Sequence, residues 1–171
     1  ACNWTQNGLM SEFIVERPAP NPSLQIQFPW PGRHNVLNAL AAIAIATELS
    51  VDDIAIQYAL LKFEGAGRRF QILGERLFQK GSAMIIDDYG HHPQEIISTI
   101  DAFRKAWPNK RLLHVFQPHR YTRTQALFGQ FAQALSLSDE LMLLDIYSAG
   151  ESPIQGISSL NLLEAIKVQQ N

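Results

Sequence analysis

The spacing of apolar residues changes character near residue 70, and the elements it predicts differ on the two sides. Leu24-Gln25-Ile26-Gln27-Phe28 alternates apolar and polar, as a half-buried strand does, and Glu12-Phe13-Ile14-Val15 is a second β-type patch. Between them Pro18, Pro20 and Pro22 remove backbone donors and fix φ, so residues 17–22 are expected to form a loop beside a sheet edge. From Pro31-Gly32-Arg33-His34-Asn35 to about Leu49, apolar residues fall on nearly every side of a helical wheel (Val36, Leu37, Ala39, Leu40, Ala42, Ile43, Ile45, Ala46). That predicts a long helix buried inside a larger body than residues 1–70 can make alone. A second helix is predicted from about Val51 to Phe63, with Ser50 as N-cap and Asp52 and Asp53 in the positive first turn.

Beyond Phe70 the pattern is that of an α/β domain. Residues 70–79 read as a strand pair around Gly74 or as one bent strand. Three similar units follow, each an apolar run, a polar cluster and a helix. Met84-Ile85-Ile86 leads to Asp87-Asp88-Tyr89-Gly90-His91-His92-Pro93 and a helix with Ile96, Ile97, Ile100 and Phe103. Leu112 to Phe116 leads to Gln117-Pro118-His119-Arg120-Tyr121-Thr122-Arg123 and a helix with Leu127, Phe128, Phe131 and Leu135. Leu141 to Leu144 leads to Asp145-Ile146-Tyr147-Ser148-Ala149-Gly150-Glu151 and a helix around residues 160–168. The repeat of roughly 28 residues is that of a βαβ unit. Runs that do not alternate predict a mostly parallel sheet covered on both faces, with the three clusters converging at the strand C-termini, where open α/β sheets bind ligands. The domain boundary is placed near residues 67–71.

Composition narrows the functional classes. The chain is 46% hydrophobic and 18% charged, with a formal charge of −2, which gives it a core and no basic face for nucleic acid. One cysteine, Cys2, excludes an internal disulfide framework and suits a reducing, cytoplasmic compartment. No apolar stretch reaches membrane-spanning length. The opening Ala1-Cys2-Asn3-Trp4 lacks both an initiator methionine and a signal pattern, so a fragment of a longer protein is expected.

The candidate chemistry lies in four places. His34, Asn35 and Asn38 stand at a helix start, where carboxamides can meet a purine edge and an imidazole can stack on it; capping and turn roles explain Asn35 and His34 equally well. Asn38 tilts the reading to a ligand, because a carboxamide inside a buried helix needs a partner. Gly65-Ala66-Gly67-Arg68-Arg69 is either a surface hinge or a hinge that presents an arginine to phosphate or ribose; no Gly-x-x-x-x-Gly-Lys-Ser/Thr loop occurs in the chain. Of Asp87 and Asp88, one can bind a ligand hydroxyl while the other caps or pairs. Pro93 and Glu95 suit a first helical turn, which makes His92 the cap neighbour and His91 the functional candidate. Arg120 and Arg123, three apart, can clamp one carboxylate or phosphate. His114 reads as a satisfied core histidine, while Tyr147 and Glu151 divide evenly between structure and function. No zinc-type spacing is present.

Gly-Arg-His-Asn-Val-Leu-Asn-Ala-Leu-Ala-Ala (32–42), Gly-Arg-Arg-Phe (67–70), Asp-Asp-Tyr-Gly-His-His-Pro (87–93) and Phe-Gln-Pro-His-Arg-Tyr-Thr-Arg (116–123) resemble the Mur ligases of peptidoglycan synthesis. The match runs in order from about residue 32 to 157. The resemblance implies residues 1–69 as the C-terminal part of a central ATP-binding domain. It implies 70–171 as a Rossmann-like C-terminal ligase domain, cut short at its end. It also implies a cytoplasmic, ATP-dependent and Mg2+-dependent ligase that joins L-alanine to UDP-N-acetylmuramate, neither nucleic acid nor membrane being a partner. The phosphate loop and metal ligands are then expected upstream of Ala1, and the fragment is expected to be inactive alone. By resemblance His34, Asn35 and Asn38 hold adenine; Arg69, with Asp87 or Asp88, meets ribose and phosphates; Tyr89, His91, His119, Arg120 and Arg123 line the amino-acid site. Arg69 and His91 take the catalytic positions. The alternatives are a family member that recycles murein peptide, a ligase for another amino acid, and a non-catalytic nucleotide- or amino-acid-binding module.

Overall fold

A computed structural model describes residues 1–79 and 81–170. The chain divides into two compact units, one of residues 1–89 with 101–108, the other of 90–100 with 109–171.

The first unit begins with an antiparallel sheet of β1 (Cys2–Asn7), β2 (Met10–Val15) and β3 (Leu24–Phe28), in that order. In β3 the alternation foreseen from sequence is realised: Leu24, Ile26 and Phe28 are buried, while Gln25 and Gln27 face out. Phe13 pairs with Ile26, and both join Val36, Ala39, Ile43 and Ile56 in one core. Burying each such side chain contributes on the order of 1.5–3 kcal/mol. Ser11, fully buried on β2, satisfies its hydroxyl by donating to the Trp30 carbonyl at 2.8 Å. The proline loop is tied down by Arg17, which donates to the Pro22 carbonyl at 2.9 Å and to both oxygens of Asp53 at 2.7 and 2.6 Å. That pairing holds the Asp53 carboxyl below its ordinary range.

Helices α1 (Arg33–Glu48) and α2 (Asp53–Leu61) follow. The apolar face of α1 is covered only in part, and the expected N-cap of α2 is corrected. Only Val36, Ala39 and Ile43 of α1 are buried; Leu37 and Ile45 are more than half exposed, and Asn38 is exposed too. The all-round apolar face is thus not enclosed by the described residues. Asp52, not Ser50, caps α2, its carboxylate accepting from Ile54 N at 2.9 Å and Ala55 N at 3.4 Å. Ser50 is in the left-handed region (φ 56), within the turn that ends α1, and so cannot supply the extended backbone an N-cap needs.

After Phe70 comes β4 (Gln71–Phe78), one strand whose pairing slips between Ile72 and Gly74, and then β5 (Gly81–Asp87). The pair is antiparallel, with Phe78 opposite Gly81. So short a return makes β4 and β5 antiparallel to each other, and among the described residues β5 pairs with β4 alone, so the Met84-Ile85-Ile86 run lies in this pair and not in the expected parallel sheet.

The second unit holds the parallel pair, β6 (Leu113–Phe116) with β7 (Glu140–Leu143). Among the described strands these two alone pair in parallel, extended by one parallel bridge from His119 to Tyr147, so the α/β reading holds with a smaller parallel sheet than the repeat suggested. Phe116 is buried, whereas Leu113, Val115 and Met142 are about half exposed, so one face of the pair is covered and the other open. The covered face packs with Ile96 and Ile100 of α3 (Pro93–Ala106), Phe131 and Leu135 of α5 (Phe128–Leu135), and Leu162 and Ile166 of α6 (Ser159–Gln169). α3 contributes to this unit through Ile100; its remainder belongs to the first. The predicted helix after residue 120 is broken: α4 (Tyr121–Ala126) ends at Leu127, whose φ of −116 leaves the helical range before α5 begins.

Candidate functional site

In the first unit, the hinge segment and the end of β5 are held together through the backbone. Arg68 (φ 58) and Phe70 (φ 45) both lie in the left-handed region, on either side of Arg69. Each costs on the order of 1–3 kcal/mol and persists only where its surroundings fix it. They do so here: Phe70 N donates to the Asp88 carboxylate at 2.8 Å, and Tyr89 N donates to the Arg68 carbonyl at 2.7 Å. The Phe70 ring is buried and lies parallel to that of Trp107, with centroids 6.3 Å apart. Arg68 is 3.5 Å from Asp87 and stacks over Tyr89 at 4.9 Å, with Arg69 at 6.0 Å over the same ring. Asp88 therefore fixes the backbone that carries Arg69, and Asp87 pairs with Arg68.

The start of α1 lies in the same electrostatic neighbourhood. Burial, more than any charge, lowers the proton affinity of His34; Asp88 and Asp101 oppose that shift and Arg69 adds to it. The structure thus brings His34, Arg69 and Asp88 together, three residues that sequence had placed in separate motifs. Among the described residues, the buried Nδ1 of His34 has no hydrogen-bond partner. Asn35 spends its amide N–H on the Pro31 carbonyl at 2.8 Å, leaving its oxygen as an acceptor. A buried ring nitrogen without a partner and, on the next residue, a carboxamide oxygen left as acceptor are groups that a heteroaromatic ligand can use. Asn38 is exposed, so the argument from its burial does not hold in this structure. Among the described residues no group of three His, Cys, Asp or Glu side chains is gathered as a metal site; Mg2+ bound with a nucleotide needs only one or two carboxylates beside the phosphates.

In the second unit two of the three clusters converge, as the βαβ reading expected. Tyr147 N donates to the Pro118 carbonyl and Arg120 N to the Tyr147 carbonyl, both at 2.8 Å, and His119 bridges in parallel to Tyr147. The His119 and Tyr147 rings lie 5.3 Å apart. Burial lowers the proton affinity of His119, reinforced by Arg123, Arg120 and then His91 and opposed by Glu151, so protonation of its imidazole is disfavoured. Its Nδ1 is buried and unpartnered among the described residues. His91, from the opening motif, is therefore close enough for its charge to act on His119. His92, read from sequence as the cap neighbour, itself accepts from Gln94 N through Nδ1 at 3.4 Å. Glu95 accepts from His91 N and His92 N at 2.9 and 3.1 Å, closing the first turn of α3. His114 contacts the Ser138 hydroxyl at 3.1 Å, as a core histidine should. One residue was undervalued from sequence: Glu151 accepts from Thr122 N at 3.0 Å and Thr122 Oγ1 at 2.7 Å. Its only sequence signal was membership of the third strand-end cluster.

Sequence comparison gives these two neighbourhoods a setting. The chain is 68% identical over 167 residues to the UDP-N-acetylmuramate--L-alanine ligase of Legionella pneumophila strain Lens, covering 98% of this chain and 36% of that protein. The strain Corby protein of the same name has the same identity and coverage. The chain therefore spans about a third of the length of these curated relatives. Among solved structures, UDP-N-acetylmuramate-alanine ligase MurC of Thermotoga maritima aligns with a TM-score of 0.74 at 30% identity, over 94% of this chain and 33% of that one. MurF of Acinetobacter baumannii aligns with a TM-score of 0.67 over 97% of this chain and 33% of that one; at 18% identity it supports the fold alone. Residues 68–171 match the family described as Mur ligase, glutamate ligase domain, and the chain belongs to the Mur ligase family.

Proposed function

We propose that this chain is part of an ATP-dependent ligase that joins L-alanine to UDP-N-acetylmuramate in peptidoglycan precursor synthesis. Residues 1–69 are read as the end of its central ATP-binding domain and 70–171 as its C-terminal ligase domain. In the reaction, a muramoyl carboxylate oxygen attacks the γ-phosphorus of ATP and ADP leaves. The amine of L-alanine then attacks the acyl carbon, loses a proton and expels phosphate. ATP meets His34, Asn35 and Asn38 at the adenine, and Arg69 with Asp88 or Asp87 at the ribose and phosphates. His91, His119, Arg120 and Arg123 receive the amino acid, the guanidinium pair taking its carboxylate. A neutral His119 is suited to accept a hydrogen bond from the attacking amine. Arg69 and His91 act as catalytic groups. No step is assigned to Mg2+ through the described residues, among which no group of three metal-ligating side chains is gathered.

The observation that carries this reading is the pinning of the arginine-bearing segment, 118–123, to Tyr147 by two backbone hydrogen bonds of 2.8 Å, at Pro118 and Arg120. It is supported by 68% identity to relatives that bear the ligase name. Amino-acid selection tests it. One methyl group is worth about 1–3 kcal/mol in a fitted pocket, so the full-length protein should prefer L-alanine to glycine by about 10- to 200-fold in kcat/KM. Equal turnover with glycine, L-serine and L-alanine would remove the substrate assignment.

A further inference from the structure

The turn that presents Arg120 and Arg123 is built on an unusual backbone. Arg120 has φ 74, and as the residue preceding α4 it provides no side-chain cap. Its backbone is nonetheless engaged on both sides: its N–H goes to the Tyr147 carbonyl at 2.8 Å, while its carbonyl accepts from Thr124 N at 3.1 Å and Thr124 Oγ1 at 2.8 Å. Thr124 is fully buried. The cap that Arg120 lacks comes from far along the chain. Ser148-Ala149-Gly150-Glu151 forms a tight turn, with Ala149 (φ 51) and Gly150 (φ 86) both left-handed and Glu151 N donating to the Ser148 carbonyl at 3.0 Å. The turn delivers the Glu151 carboxylate to both the N–H and the hydroxyl of Thr122, between the two arginines in sequence. Two non-glycine residues, Arg120 and Ala149, thus hold left-handed conformations at either end of one hydrogen-bonded network. Strain of that kind marks a geometry kept for a purpose.

We infer that Glu151 is a positioning residue: by capping α4 through Thr122, it fixes the mutual geometry of Arg120, immediately before the helix, and Arg123, within it. The inference rests on the proposed amino-acid site and extends it to a residue that touches no substrate. The bonds are charge-assisted, which is also what holds the Glu151 carboxyl below its ordinary range. Their geometry, rather than the charge alone, carries the effect. Glutamine at this position can accept from Thr122 N and donate to Thr122 Oγ1, so it should substitute.

The test uses the full-length protein with Glu151→Ala, Glu151→Gln and Thr122→Ala. Glu151→Ala should raise the KM for L-alanine by about tenfold or more, the scale of one lost charge-assisted hydrogen bond, with the KM for ATP within about twofold. Glu151→Gln should restore the L-alanine KM to within about threefold of wild type. Thr122→Ala, which keeps the N–H arm, should move it the same way by a smaller factor, and serves if Glu151→Ala does not fold. Hydrogen exchange at the Thr122 amide reads the contact without any substrate, and should be about tenfold faster in Glu151→Ala than in wild type or Glu151→Gln. Unchanged exchange, an unchanged L-alanine KM, a parallel rise in the ATP KM, or Glu151→Gln as impaired as Glu151→Ala would each overturn the inference. A wild-type protein with no L-alanine-dependent turnover but with Glu151-dependent exchange would instead refute the substrate reading and leave the positioning role standing.

Discussion

Replacing Arg123 by alanine is expected to raise the KM of the full-length enzyme for L-alanine by about 10- to 100-fold while moving the KM for ATP by less than about threefold. The size follows from the chemistry of the clamp. A guanidinium that binds a carboxylate through two parallel N–H bonds contributes more than a single neutral hydrogen bond, and its loss leaves a negative charge desolvated and unmatched. Arg120, three positions earlier and just before α4, retains part of the attraction, which sets the upper limit. Arg123→Lys should recover only a fraction of the affinity, because an ammonium keeps the charge but lacks the planar fork. Steady-state kinetics with each substrate varied in turn provides the measurement. Arg123 also disfavours protonation of His119, so the alanine variant should protonate His119 more readily at the acid end of the activity profile. An unchanged dependence on L-alanine would take Arg123 out of the clamp.

Gly65→Ala is expected to be the most damaging small substitution in the first unit. Gly65 has φ 91, and a Cβ built there would lie 2.0 Å from Cζ2 and 2.3 Å from Cη2 of Trp30. The indole has no easy retreat: its Nε1 donates to the Phe63 carbonyl at 3.0 Å, its ring packs edge-on to Phe63 at 6.1 Å, and Phe63 in turn stacks on Phe28 at 6.0 Å. The left-handed backbone costs alanine about 1–2 kcal/mol, and forcing the packed ring aside costs about 1–3 more. Chemical denaturation should therefore show a loss of about 2–5 kcal/mol. Gly67→Ala is the control. The nearest atom to its new Cβ is the Gln71 side-chain oxygen at 3.9 Å, and no left-handed φ opposes it. That change should lie between neutral and about 1 kcal/mol stabilising, through the lower entropy of the unfolded chain. A Gly65→Ala variant within about 0.5 kcal/mol of wild type would mean that Trp30 does not close on the hinge.

How far the sequence could be read depended on how local the deciding interaction was. Pro93, Glu95 and His92 announced the start of α3 because capping acts within one turn, and the structure places each in its expected role. The alternation in β3 was equally plain. By contrast β1 escaped notice: Cys2-Asn3-Trp4-Thr5-Gln6-Asn7 is mostly polar, and its ladder is interrupted between Cys2 and Thr5. The antiparallel pairing of β5 was misread because its apolar run looks the same whether it faces β4 or a parallel neighbour. Asp88 and Glu151 were legible as ionisable residues but not by duty. Their partners lie 18 and 29 positions away, at the Phe70 and Thr122 amides. No spacing rule reaches that far. The convergence of residues 117–123 with 145–151 could be foreseen only because parallel strands place their C-termini on one edge, and β6 with β7 obeys that rule.

The central claim is that these residues serve a ligase that couples ATP to amide formation between a UDP-linked muramate and L-alanine. Its most direct test is ADP release by the full-length protein with ATP present and the other two substrates supplied separately and together. ADP and phosphate are predicted in equimolar amounts with the new amide, and only when UDP-N-acetylmuramate and L-alanine are both present. Comparable amide-coupled turnover with either one omitted, or none with both supplied, would contradict the account.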